Sequence, residues 1–179
     1  MTEEYLVEGC INKNINAQRE LYERYAKKML SVCVRYMCDE DEARDTMHDG
    51  FIKLFDKIGK FEEKGSLEGW IHKLFVNTCL EKLRKLKKMS YQSINNDNIE
   101  LQIVENVVSD VDNQLSANDL MNCIKELPVP FRSVFNLYAI EGYSHEEISK
   151  ILGIASSTSR ANYFKARILL QEKIKSIYK

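Results

Sequence analysis

No apolar run in this chain approaches the roughly 20 residues that a bilayer-spanning helix requires. The N-terminus, MTEEYLVEGC, is acidic and lacks the basic and apolar regions of a signal peptide, so a cytoplasmic protein is expected. The five cysteines (Cys10, Cys33, Cys38, Cys79, Cys123) form no CxxC pair and no His–Cys cluster of zinc-ligand spacing, and the three histidines are equally dispersed. No metal or other cofactor is therefore expected, and the thiols read as reduced and partly buried. A P-loop, a nucleophile elbow and a convincing carboxylate pair are all missing; the acids at 39–42 are better explained by helix capping. An enzyme is the least supported class. Strand alternation and internal repeats are absent too, which leaves an all-α reading.

A large net charge is also missing: the formal total is -1. Its distribution says more. Residues 1–88 carry 17 basic and 16 acidic side chains, and residues 117–179 carry 9 and 6. Between them, residues 89–116 hold Asp97, Glu100, Glu105, Asp110 and Asp112 with no Lys or Arg. Two regions with basic patches are thus separated by an acidic strip, which reads as a linker between two small helical domains. The apolar residues of that strip (Ile99, Leu101, Ile103, Val104, Val107, Val108) lack a sustained helical period. Both a solvated tether and a short docked segment fit them.

Four helices are predicted before the linker: residues 3–12, about 16–37, from Asp39, and about 66–87. The second places Ala17, Leu21, Tyr25, Met29, Val32 and Tyr36 on one face. The third opens on Asp39 with Glu42 three residues later, and places Ala43, Met47, Phe51, Leu54 and Ile58 inward. The fourth puts Ile71, Leu74, Phe75 and Thr78 on one side and Lys73, Asn77, Arg84 and Lys88 in a narrow arc on the other, because steps of four and seven nearly return to one angle. Its end, LEKLRKLKK, holds five basic residues in seven. That exceeds what the helix dipole needs and favours phosphate contacts. Trp70 lies at the border of the two sides, placed either for the core or for base stacking.

Beyond the linker, EGYSHEEISKILGIASSTSRANYFKARILLQEKIK reads as two helices joined by a tight turn. Ser144 and Glu147 form a capping box, Ile148, Ile151 and Leu152 face inward, and Gly153 stops the first helix. The second helix starts at about Ser156, with Tyr163, Phe164, Ile168 and Leu169 as its apolar side and Arg160, Lys165 and Arg167 as its charge. A helix-turn-helix and an ordinary αα-hairpin with a solvated basic face both fit; in the former, the second helix enters the DNA major groove.

Taken in order, ARDTMHDGFIKLF, GSLEGWIHKLFVNTCLEKLRK and ELPVPFRSVFNLYAIEGYSHEEISKILGI resemble the sigma-70 family of bacterial RNA polymerase initiation factors. The likeness is to its compact extracytoplasmic-function (ECF) group, which keeps only the second and fourth sigma domains, and it covers about residues 16–171. The resemblance implies an all-α region 2 bundle over 1–88, an acidic linker over 89–116 that threads toward the RNA exit path, and a region 4 helix-turn-helix over 117–179. It implies three partners: core RNA polymerase (the β′ clamp helices and the β subunit), promoter DNA and an anti-sigma factor. No small-molecule substrate is implied.

By position, the resemblance places Asp45, His48, Asp49 and Lys53 against polymerase, with Phe51 packed beneath. It places Phe61, Lys64, Ser66, Trp70, Lys73 and Asn77 at the −10 element, around an unstacked base of the melted strand, with Lys82, Arg84, Lys85, Lys87 and Lys88 on nearby phosphates. Ser156, Ser157, Arg160, Asn162, Phe164, Lys165 and Arg167 fall at the −35 element. Three positions depart from the family pattern: Ser157 stands where Gly is usual, Ala161 where Ser is common, and His48 where Gln is usual. Two other classes compete with this reading. A helix-turn-helix regulator would bind duplex DNA tightly by itself, and an interaction protein would use neither basic patch for DNA.

Overall fold

The computed structural model describes residues 2–86 and 116–177. They fall into two compact units, one within 1–88 and one within 89–179, and no strand occurs among the described residues. The expected linker lies almost wholly outside the described residues, as do Lys87 and Lys88.

In the first unit, α1 (Glu3–Ile11), α2 (Ile15–Met37), α3 (Glu40–Lys57) and α4 (Leu67–Lys85) pack together, with a 3-10 turn at Ile58–Lys60. Local chemistry sets where each helix starts. The Asn14 side chain accepts the amides of Asn16 and Ala17, that of Asp39 accepts the Glu42 amide at 2.8 Å, and Ser66 accepts the Gly69 amide at 3.1 Å. Each cap satisfies donors that the first turn leaves unpaired. The six residues expected to line one face of α2 are all buried, as are the five expected for α3 and the following turn. α4 ends at Lys85, two residues earlier than its pattern predicts.

Aromatic packing locks α3 to α4. The Phe51 ring lies 4.6 Å from Tyr22 of α2 and meets Phe75 of α4 edge-on at 5.1 Å and 73°. Gly50 makes this approach feasible: a Cβ there would stand 2.5 Å from Cε1 of Phe75. Burying Phe51 and Phe75 contributes roughly 1.5–3 kcal/mol each, but only if α4 comes this close.

The second unit contains α5 (Ala117–Lys125), α6 (Val129–Phe135), a π-helical turn (Asn136–Ile140), α7 (His145–Leu152) and α8 (Ser156–Ile177). Buried Arg132 ties the α5–α6 corner, with Nη1 donating to the carbonyls of Lys125 (3.0 Å) and Leu127 (2.8 Å). A cation at these carbonyls complements the C-terminal end of α5. The expected capping box is present at α7: the Glu147 amide donates to Ser144 Oγ and the Ser144 amide to Glu147 Oε2. Gly153 turns the chain at φ 69°, a left-handed conformation that glycine adopts without a Cβ penalty.

The inner face of α8 differs from expectation. Tyr163, Phe164, Ile168 and Leu169 are only partly buried, whereas Ser159, Asn162, Ala166 and Leu170 form the buried stripe. Small residues on that stripe let α8 approach its neighbours closely, and Ala166 and Leu170 join Cys123, Ile124 and Leu127 in the core. The aromatic residues pack along its edges.

Gly50→Ala should destabilise the first unit by about 1–3 kcal/mol through overpacking against Phe75. Urea unfolding followed by the fluorescence of Trp70, the only tryptophan, checks this. An unchanged midpoint would show that Phe75 moves aside freely.

Candidate nucleic-acid interface

The loop between the 3-10 turn and α4 frames a hollow of about 400 Å³. Lys60, Phe61, Lys64, Ser66, Trp70 and Lys73 line it, together with Glu62 and two glycines. Phe61 and Trp70 sit with ring centroids 5.7 Å apart and tilted by 55°, both half-buried. They present an aromatic wall beside cationic side chains, a combination suited to a nucleobase and its phosphates. Ser66 has a structural task as well, since its Oγ caps α4. Lys64 pairs with Glu62 at 2.6 Å. Lys60 and Glu62 were not named as site residues from sequence, although the run FEEKGS, which breaks the helical pattern, supplied Phe61, Lys64 and Ser66.

Along α4, Lys73, Asn77, Arg84 and Lys85 are exposed and Lys82 is half-buried. Lys88 lies outside the described residues. On α3, Asp45, His48 and Asp49 are exposed on one face, while Phe51 is 3% exposed beneath them. Phe51 therefore supports the face without presenting a surface of its own. Ile52, 62% exposed, belongs to the same face and was not anticipated; its spacing from Asp45, His48 and Asp49 was the available signal.

Ion pairs connect the two helices. Lys53 donates to Glu81 at 2.5 Å, and that bond holds the Glu81 carboxyl below its ordinary range against the opposing effect of burial. Lys82 lies 3.8 Å from Asp49. Lys53 is thus bound within the unit instead of standing out as a docking cation.

In the second unit, Ser157, Arg160 and Arg167 are exposed at the start and middle of α8, and Ser156, Phe164 and Lys165 are half-buried. The Lys165 ammonium lies 5.8 Å from the Phe131 ring centroid, and the Arg167 guanidinium 6.0 Å from that of Tyr163. Asn162 departs from the expected interface. It is 9% exposed and falls between Ser159 and Ala166 on the inner stripe, so the helical period turns it into the domain.

Contacts across the hairpin were not legible from local pattern. Nδ1 of His145 lies 2.9 Å from the Ser159 hydroxyl, and the His145 ring stacks on Tyr138 at 4.3 Å and 12°. Arg160 Nη2 donates to Glu146 Oε1 at 2.7 Å. Burial first, and the Arg160 charge second, hold the His145 pKa below its ordinary 6.5, while Glu146 opposes them. A neutral imidazole suits this packed position.

Comparison with known proteins matches both units. The description Sigma-70 region 2 fits residues 21–89, and Sigma-70, region 4 fits residues 117–170. The ECF RNA polymerase sigma-E factor of Haemophilus influenzae is 26% identical over 185 residues, covering 99% of this chain and 97% of its own length. The ECF RNA polymerase sigma factor SigE of Mycolicibacterium smegmatis is 26% identical over 155 residues, covering 86% of this chain and 60% of its own length. Among solved structures, the sigma factor RpoE of Bartonella quintana, in complex with the anti-sigma factor NepR, matches with a TM-score of 0.53 at 22% identity. That match covers 88% of this chain and 96% of the other, and the likeness is one of fold. Among the described residues, no helix is long and apolar enough to cross a membrane.

The depressed His145 pKa gives a signed pH dependence. The unfolded chain takes up a proton near 6.5 and the folded hairpin only at lower pH. The associated stability is complete above 6.5 and is lost as pH falls through the folded value. Hydrogen exchange of the α7–α8 amides should accelerate between about pH 7.5 and about pH 5, after correction for intrinsic rates, and His145→Phe should flatten that dependence. An equal pH response in the variant would assign the effect to other groups.

Proposed function

The chain belongs to the sigma-70 family, in its ECF group, and from that premise we propose that it is a promoter-specificity subunit of bacterial RNA polymerase. It binds the core enzyme, recognises two spaced promoter elements and helps melt the upstream edge of the transcription bubble. It performs no bond chemistry, which belongs to the polymerase, and it works in the cytoplasm. The observation that carries this reading is a pair of different surfaces on one chain, each suited to nucleic acid: an aromatic hollow of about 400 Å³ lined by lysines on the first unit and a helix hairpin with exposed arginines on the second. A regulator that reads only duplex DNA has no use for the first.

Each surface has a distinct task. Asp45, His48 and Asp49 on α3 meet the β′ clamp helices, where acidic and polar groups suit a basic partner. Phe51 fixes the angle of that helix from beneath. An unstacked base of the −10 element enters the hollow at Phe61, Lys64, Trp70 and Lys73, with Asn77 further along α4. Flipping that base costs a few kcal/mol, and stacking on an aromatic side chain returns about 1–3 kcal/mol. Arg84, Lys85 and Lys88 hold nearby phosphates. On α8, Ser156, Ser157, Arg160, Phe164, Lys165 and Arg167 face the −35 element or its phosphates. An anti-sigma partner that covers these faces would hold the protein inactive.

A crossed experiment separates the tasks. Asp45→Lys combined with Asp49→Lys should weaken binding to core polymerase about tenfold or more in a competition assay. Lys165→Ala should spare core binding and reduce transcription from promoters that need a −35 contact. Unchanged affinity of the first variant would exclude the α3 face, and loss of core binding in the second would show the units to be wrongly assigned.

A further inference from the structure

Two contacts bridge the hairpin in the same register. His145 meets Ser159 and, one residue on, Glu146 meets Arg160. The first contact is fixed from both sides: Ser159 is fully buried and the His145 ring is stacked on Tyr138. The capping box at Ser144 and Glu147 anchors the turn that carries Glu146, and it also engages the neighbouring carboxylate, leaving Glu146 as the acid that faces α8. The backbones on either side of the Glu146–Arg160 pair are therefore held in place, and a charge-assisted bond between fixed frames aims a side chain with little further loss of freedom.

The pair adds little to stability, because its side chains are 57% and 63% exposed. Its effect is one of direction. Nη2 of Arg160 is engaged by the carboxylate and Nη1 points toward Ser156 Oγ at 3.5 Å, so the guanidinium plane is set at the outer surface of the first turns of α8. A guanidinium reads guanine through two parallel donors and only in the correct plane.

We infer that Glu146 is a positioning residue for −35 recognition: it orients the Arg160 guanidinium for bidentate contact with a base edge, while itself touching no base. This rests on the assignment of the second unit to the −35 element. Without this partner, Arg160 would retain its charge and its attraction to phosphate while losing its fixed plane. Glu146→Gln should therefore weaken base discrimination and leave general affinity for DNA unchanged or raised, since a negative charge near the phosphates has been removed.

The test is transcription by holoenzyme, reconstituted from core polymerase and the full chain, on a library randomised across the upstream element. Arg160→Gln identifies the position that Arg160 reads, as the one whose preference it abolishes. At that position the wild type should favour one base by about tenfold or more, and Glu146→Gln should reduce the preference to about threefold or less. The double variant should discriminate no worse than Arg160→Gln alone, because the two side chains act as one unit. Core binding should not change. If Glu146→Gln retains the full preference, or its effect adds to that of Arg160→Gln, the inference is wrong. If the wild type shows no upstream base preference at all, the −35 assignment itself fails.

Discussion

The first unit depends on the contact in which the Phe75 ring occupies the space left open by Gly50. It brings α4 against α3 closely enough for Phe51 to be enclosed between Tyr22 and Phe75. With that wedge closed, the outer faces of the two helices are fixed with respect to each other. One carries Asp45, His48 and Asp49, and the other carries Lys73, Asn77 and Arg84. The bonds from Lys53 to Glu81 and from Lys82 toward Asp49 then stitch the rim. The face proposed for polymerase and the face proposed for nucleic acid are thereby carried on one block, so binding at either would present the other in a defined orientation.

The second unit reaches the same end with other means. Its recognition helix is seated by small and polar residues, Ser159, Asn162 and Ala166, and its register is set by the capping box, by Gly153 and by the His145–Ser159 contact. A shallow seat of this kind leaves Arg160 and Arg167 exposed and Lys165 half-exposed. The near-zero net charge hides this local distribution, because residues 89–116 carry five acids and no base while residues 117–179 carry nine bases against six acids. Affinity of the isolated chain for DNA is expected to be modest on this arrangement, with polymerase supplying the remaining contacts.

Where an element buries a regular apolar stripe, the sequence and the structure agree closely. The α2 face from Ala17 to Tyr36 and the α3 face from Ala43 onward show a period that only a half-buried helix produces. Caps were equally legible, because Ser144 with Glu147 and Asp39 with Glu42 act within a single turn. The inner stripe of α8 was not, since its polar and small members carry no hydrophobic signal; Asn162, which the resemblance placed at the −35 element, lies on that stripe. The separate helices α5 and α6 were obscured by their shortness. Lys60 and Glu62 in the hollow, and the pairing of Glu146 with Arg160 fourteen positions apart, belong to loop geometry and non-local packing. No local pattern announces them.

The most direct test of the central claim is transcription from a promoter library by purified core polymerase of the cognate bacterium, with and without this protein, free of any inhibitor. The account predicts new transcripts that appear only with the protein and whose promoters share two upstream elements at a fixed spacing. Absence of new transcripts, together with tight binding of the isolated chain to a two-fold symmetric duplex site, would contradict it and identify a conventional helix-turn-helix regulator.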